Sequence, residues 1–440
     1  MTSHHPDQAP ESAGESDLPL DSPLDAPVAS EPVLAPVAAE ERMPALDVVR
    51  GFALLGIFLM NMEFFARPMQ DISLPGIDPS AAGLDRIAEF VVFFFVQGKF
   101  WTLFSLLFGM GFAVMIERAR RAGRPFVPAY LRRSLALLGI GLVHALLVWS
   151  GDILVTYAIA ALLLLALRGV RHAWLHHLAG VAPPPMSPGR LATWGLASFG
   201  LLLVVALVFG ALGSASTPQA PDAASAHEQA EWRAEMTQDR EAAVLAYSTG
   251  TYTVVIVQRV IDTIEQVVAL PEFLPFVLGV FLLGMAILRG GLLEHPHEHR
   301  DTLRAMRNVG LPVGFALMAL STWLGTGMGF SHFDLADAAQ VISYLVAGLV
   351  LALAYGATVV LALDGPAGPW LQRWLAPAGR MALTNYLAQS IFGTLLFYGY
   401  GFGGWDRIGR AQGVALALAF YALQLVGSRA WLAQFRFGPA

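Results

Sequence analysis

Residues 131–165, LRRSLALLGIGLVHALLVWSGDILVTYAIAALLLL, contain two apolar runs joined by the short turn WSGD at 149–152. Each run is long enough to cross a bilayer, which takes about 20 apolar residues in a helix. His144 lies inside the first run and Asp152 opens the second. Ionisable side chains at that depth are costly and usually face a protein interior or a wet cavity. This pair therefore indicates a candidate site.

The composition of the chain is that of a membrane protein. Of its 440 residues, 56% are hydrophobic and only 14% are charged, whereas charged residues make up about 25% of soluble domains. The absence of cysteine excludes disulfides, thiol nucleophiles and cysteine-ligated zinc or iron–sulfur sites. Since the chain has no basic patch, we predict no nucleic-acid partner, and we predict no metal site. The oligomeric state is left open.

The first 44 residues differ from the rest of the chain. They are rich in proline, alanine, serine and acidic residues and have no apolar periodicity. Such a composition cannot bury enough apolar surface to offset chain entropy, so we predict a disordered cytoplasmic tail at 1–44. The tail lacks the basic start of a signal peptide. Residues 45–440 are predicted to form one transmembrane helical domain.

The hydrophobic runs predict an all-α polytopic fold with about ten transmembrane helices. We place them near 45–65, 99–117, 131–149, 152–168, 191–212, 273–290, 309–328, 338–363, 381–399 and 412–432. The aromatic segment 84–98 fits either an interfacial helix or part of a longer tilted span. Short cytoplasmic loops carry the arginine excess, and arginines occur in the loops 117–133, 168–190, 289–307 and 364–380. Ten spans place these four loops on the side of both termini, which predicts an N-in, C-in topology.

The longest external segment is predicted at 213–272 and has two parts. Residues 213–230 are small and polar, which predicts a mobile stretch. Residues 251–272 carry a helical pattern with charged residues off the apolar stripe, and we predict an amphipathic helix on the outer surface. This helix either covers a cavity between the two halves of the protein or only connects them. The apolar stripe consists of Val254, Val257, Ile261, Ile264 and Val268.

Several polar side chains lie within or beside the first two spans. Asp47 and Arg50 are three residues apart, so they share a helix face and are expected to pair. Arg50 then either binds substrate or anchors the helix at the headgroups. Asn61 lies about 16 Å further along the helix. Lys99 opens the second span, where a lysine often extends to the membrane interface.

His144 and Asp152 have both a structural and a catalytic interpretation. A histidine on an apolar helix is often a packing residue, and a carboxylate is favoured at a helix N-terminus by the helix dipole. If Asp152 instead accepts a hydrogen bond from His144, it fixes the tautomer of a general base. Tyr157 is close enough along the chain to join this network.

The ninth span, GRMALTNYLAQSIFG, is unusually rich in amides. Arg380, Asn385, Gln389 and Ser390 include positions four and five apart, so part of the set shares a helix face. They fit either interhelical hydrogen bonds or the lining of a substrate path. The histidines at 295, 297 and 299 are interpreted as residues of a solvated loop.

Five stretches together resemble a family of bacterial inner-membrane proteins, the YeiB-like proteins that contain the domain of unknown function 418. The stretches are LDVVRGFALLGIFLMNM, FVQGKFWTLFSLLFGMGF, RRSLALLGIGLVHALLVWSGDILVTYAI, GRMALTNYLAQSIFGTLLFYGYGFG and SRAWLAQFRFGPA. The resemblance implies a multi-pass inner-membrane protein. The family is distantly similar to membrane acyltransferases that modify sugars and envelope polymers and share the arginine-containing first-span motif. Those enzymes often have a histidine near the external end of that span, where this chain has Asn61.

These observations lead us to expect transfer of an acyl group to an envelope hydroxyl acceptor. The acyl donor, acyl-CoA or another, would enter near Asp47, Arg50 and Arg380, where arginines suit an anionic donor. His144, oriented by Asp152, would act as general base on a glycan or lipid hydroxyl. No cofactor is expected beyond the donor.

The remaining polar positions are assigned to substrate binding. Asn61 or Lys99 would stabilise the developing oxyanion, and Tyr157, Asn385 and Gln389 would line the path. The alternative is a transporter or channel for a small or lipid-like solute that uses the same polar side chains. A third hypothesis is a structural protein whose polar groups bond one another.

Overall fold

A computed structural model describes residues 43–68, 81–123, 125–179, 186–215, 223–325, 333–405 and 407–439. The chain divides into a unit Met1–Glu41 and a unit Arg42–Ala440. The first unit lies outside the described residues, and so does the predicted disordered tail except for its last two positions. All described residues belong to the second unit.

The described part of the chain is helical and contains no strand, which confirms the all-α prediction. The helices are α1 Pro44–Phe65, α2 Gly83–Val91, α3 Lys99–Arg121, α4 Phe126–Val143, α5 Leu154–Ala179, α6 Pro188–Ala215, α7 Ala223–Thr249, α8 Tyr252–Arg289, α9 Arg300–Leu324, α10 Leu335–Leu363, α11 Gly368–Arg380, α12 Ala382–Phe397 and α13 Arg410–Gln434. Two π-helical turns, Val92–Val96 and His144–Val148, interrupt this series. Within the stretch 213–230, predicted to be mobile, residues 213–215 end α6 and residues 223–230 begin α7, while residues 216–222 lie outside the described residues.

Seven helical stretches in the described ranges are long and apolar enough to cross a membrane. They are Pro44–Phe65, Gly83–Arg121, Phe126–Val148, Pro188–Ala215, Tyr252–Arg289, Leu335–Leu363 and Arg410–Gln434. The three other predicted spans fall on α5, α9 and α12. Compared with the seven stretches, these helices either have a shorter apolar part or are more polar along their length. The chain is therefore a multi-pass membrane protein, and the number of ten spans stays a prediction.

Helix α1 lies at the centre of the helix packing. Val48, Ala53, Leu54, Phe58 and Phe65 are all fully buried. On one side α1 meets α11 so closely that a Cβ added at Gly379 would lie 1.9 Å from the carbonyl oxygen of Asp47. This contact fixes the start of α1 against α11.

The two ends of α1 define two ends of the molecule. The rings of Phe65, at the end of α1, and Trp149, just after α4, have centroids 4.3 Å apart. The end that contains them also contains His144, and we call it the histidine end. The other end, where α1 begins with Asp47 and Arg50, we call the arginine end.

Helix α8 differs from the predicted surface helix. The segment 252–272 is helical as predicted, but it continues without interruption into the following span as one helix of 38 residues. Part of its polar face is also buried rather than exposed: Arg259 and Asp262 are buried, whereas Glu265 is exposed. The apolar stripe is exposed, with Val257, Ile264 and Val268 at 58%, 58% and 73%. An apolar exterior with a polar interior suits a helix that faces lipid and packs its polar side against protein.

Candidate functional site

His144 and Asp152 are brought together by an irregular end of α4. The helix changes at His144 into a π-helical turn that ends at Val148, closed by a hydrogen bond of 2.8 Å from the Trp149 amide to the His144 carbonyl. Single π turns inside helices are frequent at functional sites. The chain then reverses direction and α5 begins after Asp152. The His144 Nδ1 and Asp152 Oδ1 atoms lie 2.8 Å apart, and both side chains are 1% exposed.

Asp152 serves as helix cap and as histidine partner at once. Its Oδ2 accepts a hydrogen bond of 2.7 Å from the amide of Val155, which satisfies one of the free N–H groups at the start of α5. Its Oδ1 is left to accept from the His144 ring. With Nδ1–H as the donor, the lone pair of the neutral imidazole is at Nε2.

The Nε2 atom of His144 is buried and makes no hydrogen bond to any described residue. The ring packs against Tyr386, with centroids 5.2 Å apart, and meets the ring of Trp149 edge-on at 6.4 Å. Unpartnered buried polar atoms are rare in folded proteins. A buried imidazole with a fixed tautomer and a free lone pair is the arrangement that a general base requires.

Asn61 belongs to the same end of the molecule. It is 4% exposed and lies one helical turn before Phe65 on α1, so the two side chains share a helix face. Phe65 contacts Trp149, which contacts the His144 ring. Asn61 therefore lies on the face of α1 that is turned towards Trp149 and the His144–Asp152 pair.

A second buried polar cluster lies next to the histidine pair and was missed by sequence reasoning. Asp262 on α8 is 1% exposed. It accepts hydrogen bonds from Ser150 at 3.0 Å, from Gln258 at 2.8 Å and from Tyr247. The sequence does contain a signal for this cluster, because the polar residues of α8 recur at helical spacing and so form one polar face. Such a face can be buried against protein as well as exposed to water.

Arg259 is the other buried charge of α8. It is fully buried and donates to the carbonyl of Leu147 and to the hydroxyl of Tyr400, at 2.7 and 2.8 Å. Its guanidinium also lies over the rings of Tyr252, Tyr398 and Tyr400, between 5.5 and 5.7 Å from their centroids. Stacking on aromatic rings is favourable for a desolvated arginine.

A small cavity of about 20 Å³ is lined by residues of the turn at Asp152, of α5 and of α8. Its polar lining includes Ser150, Asp152 and Thr263. The Oγ1 atom of Thr263 is buried and has no hydrogen-bond partner among the described residues. The volume suffices for about one water molecule.

Lys99, predicted to bind substrate, lies apart from this site. Its side chain is fully buried, so it does not extend to the membrane interface. The ammonium lies 3.0 Å from the Phe93 carbonyl and 3.0 Å from the Met318 sulfur, and 5.5 Å from the centre of the Tyr344 ring. The π-helical turn that begins at Val92 ends just before Lys99, and a cation is favourable beside the free carbonyls of a helix end. We therefore interpret Lys99 as a structural residue.

Tyr157 does not join the His144–Asp152 network as we expected. It is fully buried, and its hydroxyl lies 2.7 Å from Ser105 Oγ and 3.2 Å from the Trp101 carbonyl, both on α3. The reason is the direction of α5, which turns this side chain towards α3 one helical turn after its start. Its observed contacts are those of helix packing.

The predicted pair at the arginine end is present. Arg50 Nη1 lies 2.9 Å from Asp47 Oδ1 and 3.5 Å from the carbonyl of Gly379. Both side chains are partly exposed, at 24% and 14%. Arg380 is exposed and contacts the carbonyl of Arg436 at 3.4 Å. Arginine side chains that are not fully buried can bind an anionic group.

The amides of α12 bond to the facing helix α13. Asn385 donates to Ser428 at 2.9 Å, Gln389 donates to Gln424 at 2.9 Å, and Gln424 donates to the Asn385 carbonyl at 2.9 Å. All four side chains are buried. These contacts are interhelical hydrogen bonds of the kind that hold membrane helices together.

The fold and this site together define a multi-pass helical membrane protein with a buried histidine–carboxylate pair at one end of its helix bundle. The chain belongs to the family described as "Protein of unknown function (DUF418)", whose model matches residues 287–440. The resemblance inferred from the sequence motifs is thus confirmed.

Relatives match over almost the whole chain. "Uncharacterized protein YxaH" of Bacillus subtilis (strain 168) is 31% identical over 425 residues, which cover 92% of this chain and 94% of the relative. "Uncharacterized protein YeiB" of Escherichia coli (strain K12) is 29% identical over 412 residues, 91% of this chain and 94% of the relative. The similarity therefore includes the His144–Asp152 region as well as the matched carboxy-terminal part.

Proposed function

We propose that this protein is a membrane acyltransferase that uses His144, held by Asp152, as its general base. The observation that carries the proposal is the buried 2.8 Å contact between His144 Nδ1 and Asp152 Oδ1 together with the unpartnered Nε2. A general base needs a fixed tautomer and an available lone pair. Packing alone requires neither.

The proposed reaction transfers an acyl group from a thioester to a hydroxyl. His144 Nε2 takes the proton of the acceptor hydroxyl while its oxygen attacks the thioester carbonyl. The tetrahedral intermediate collapses, the carbon–sulfur bond breaks, and the imidazolium returns the proton to the leaving thiolate. The products are an ester and a free thiol. Asp152 stabilises the imidazolium in between.

Asn61 is the side chain best placed to stabilise the oxyanion of the intermediate. Of the two residues considered for this role, Asn61 lies on the face of α1 that leads to Trp149 and His144, whereas Lys99 contacts Phe93 and Met318. A single amide donor at such a position is typically worth about 10²–10³ in rate.

The donor is proposed to bind at the arginine end. Arg50 and Arg380 supply positive charge for an anionic head, as in acyl-CoA. Arg50 and Asn61 are about 16 Å apart along α1, so the donor needs an extended arm to bring its thioester to His144. The acceptor, an envelope glycan or lipid, would approach from the histidine end.

The proposed location is the inner membrane of a bacterium, with both termini in the cytoplasm. Arginine-rich loops on the side of the termini and the bacterial origin of the relatives support it. A transport path along the same polar side chains has less support, because the amides of α12 bond to α13 and Lys99 packs against Met318.

The test compares His144→Ala with His297→Ala, a histidine whose side chain is 75% exposed. Proteoliposomes of each protein receive ¹⁴C-acetyl-CoA or ¹⁴C-palmitoyl-CoA on the side of the membrane that the arginine end faces. Bacterial envelope glycans and lipids are the acceptors. We expect His144→Ala to lower labelled ester by about 10²–10⁴-fold and His297→Ala to leave it unchanged. Normal ester formation by folded His144→Ala would refute the proposal.

A further inference from the structure

One face of α8 binds the segment 147–152 that joins His144 to Asp152. Tyr252 and Arg259 both donate to the Leu147 carbonyl at 2.7 Å. Further along, Asp262 accepts from the Ser150 hydroxyl at 3.0 Å and Gln266 donates to the Ser150 carbonyl at 2.7 Å. Positions 252, 259, 262 and 266 are spaced by seven, three and four residues and so share a helix face. We call these four side chains the α8 clamp.

The α8 clamp is linked to Asp152 through Ser150. The Ser150 carbonyl also accepts a hydrogen bond of 2.7 Å from the amide of Asp152. Gln266 and the Asp152 backbone therefore share one acceptor, while Asp262 holds the Ser150 side chain. With both its carbonyl and its hydroxyl fixed to α8, Ser150 leaves the Asp152 backbone little freedom to move relative to α8.

The clamp buries two ionisable side chains, which is more than the backbone of the turn requires. The carbonyls of Leu147 and Ser150 need donors, because unpaired polar groups are costly in a membrane, but neutral side chains and the Asp152 amide would satisfy them. Arg259 and Asp262 are instead almost completely buried, at a substantial desolvation cost. A hydrogen bond from a charged guanidinium is shorter and stronger than one from a neutral donor, so the bond of Arg259 to the Leu147 carbonyl fixes the turn more rigidly.

We propose that Arg259, Asp262 and Gln266 are positioning residues that hold Asp152 in contact with His144. The proposal rests on the acyltransferase function proposed above. Without the clamp, the segment 147–152 shifts, the Asp152 carboxylate leaves the His144 ring and the imidazole loses its fixed tautomer. A displacement of about 1 Å at a catalytic group can cost about 10²-fold in rate.

The first test compares Asp262→Asn with Glu265→Gln, which makes the same chemical change at an exposed position of the same helix. In the ¹⁴C-acyl-CoA assay we expect Asp262→Asn to lower kcat at least about tenfold, to leave the KM for the donor within about twofold, and to displace the pH–rate profile. Glu265→Gln should behave as the wild type, and Asp262→Glu, which keeps the carboxylate, should restore part of kcat. Equal kinetics of Asp262→Asn and Glu265→Gln would overturn the proposal.

Gln266→Leu provides a second variant in case Asp262→Asn does not fold. It removes the bond to the Ser150 carbonyl without burying or releasing a charge, and we expect a smaller loss of kcat at unchanged donor KM. The failures are distinguishable. If His144→Ala keeps its activity, the acyltransferase function is wrong; if His144→Ala is inactive while Asp262→Asn and Gln266→Leu are normal, the positioning role is wrong.

A third measurement follows thiol modification and therefore needs no substrate. Because the chain has no cysteine, a single introduced thiol is the only one that reacts. Thr156 lines the cavity beside Asp152, so Thr156→Cys introduces a single thiol next to the turn. We expect Asp262→Asn in this background to raise its rate of modification by a small methanethiosulfonate reagent at least about tenfold, because the loosened turn admits the reagent. Equal rates in Asp262→Asn and Glu265→Gln backgrounds would show that Asp262 does not hold the turn.

Discussion

The two ends of α1 carry polar pairs of opposite character. At the arginine end, Asp47 and Arg50 are one helical turn apart on the same helix and partly exposed. At the histidine end, His144 lies in the π-helical turn that follows α4 and Asp152 lies in the turn before α5. Both side chains are almost fully buried, and one ring nitrogen is unpartnered among the described residues. An exposed local pair costs little and contributes little. A buried pair with a free lone pair is costly, which is why it indicates chemistry.

The largest expected effect is at the histidine end. Asp152→Asn keeps an oxygen to accept from the Val155 amide, so α5 stays capped, but its NH₂ group then faces His144 Nδ1. The ring must accept there and carry its proton on Nε2, which removes the general base. We expect ester formation in the ¹⁴C-acyl-CoA assay to fall by about 10²–10⁴-fold.

The control for that variant is Asp301→Asn, since the side chain of Asp301 is 98% exposed. It should transfer label at the wild-type rate. Full activity of Asp152→Asn would show that the buried pair at the histidine end does not supply a general base.

The next effect concerns the packing of the arginine end. A Cβ at Gly379 would lie 1.9 Å from the Asp47 carbonyl oxygen and 2.7 Å from the Gly51 amide nitrogen. We expect Gly379→Ala to force α11 away from α1 and to lower the free energy of unfolding by about 1–3 kcal/mol. Thermal unfolding of the detergent-solubilised protein measures it.

Gly427→Ala is the matched control for Gly379→Ala, because a Cβ at Gly427, on α13, meets no atom within 4 Å. It should leave the Tm unchanged or raise it slightly, since alanine favours helix over glycine. Equal destabilisation by both substitutions would mean that α1 and α11 are not close-packed.

A smaller effect is expected for Gln389 on α12. It tests whether this side chain packs against α13 or lines a substrate path. Gln389→Leu removes the hydrogen bond of 2.9 Å to Gln424. Interhelical hydrogen bonds in membrane proteins are worth about 0.6–2 kcal/mol, so we expect a stability loss of that order with unchanged KM for donor and acceptor. A KM raised tenfold at unchanged stability would instead support the lining role.

The smallest expected effect is that of Asp47→Asn. The pair with Arg50 is partly exposed, so its loss should change the free energy of unfolding by about 0–1 kcal/mol. It also frees Arg50 for an anionic donor, and we expect the donor KM to stay within about threefold of the wild-type value. A stability loss as large as that of Gly379→Ala would contradict the contrast between the two ends.

Sequence patterns predicted most of the helices and one contact of the site. The apolar runs located helices α1, α6, α10 and α13 to within a few residues, because span length is fixed by membrane thickness. The Asp47–Arg50 and His144–Asp152 contacts could be inferred from the sequence, because each joins residues at most eight positions apart. The environment of Lys99 was not, since Met318 lies 219 residues away along the chain.

The polar face of α8 shows where pattern reasoning has more than one solution. Arg259 and Asp262 opposite an apolar stripe fit an interfacial helix with its charges in water. They fit equally well a helix whose apolar stripe faces lipid while the charges face protein. Periodicity fixes which residues share a face but not what that face meets, so the sequence alone predicted the wrong surroundings for both charges.

By itself, the sequence predicted an all-helical membrane protein and offered a contact between His144 and Asp152 as one of two interpretations, because apolar length and a short turn are local properties of the chain. The tertiary structure decided which polar groups are buried against which partners. It bonded Tyr157 to Ser105 and Trp101 on α3 and Lys99 to Phe93 and Met318. It also paired the amides of α12 with α13 and placed the α8 clamp on the turn. Those choices depend on helix rotation and packing across long sequence separations, which no local pattern encodes.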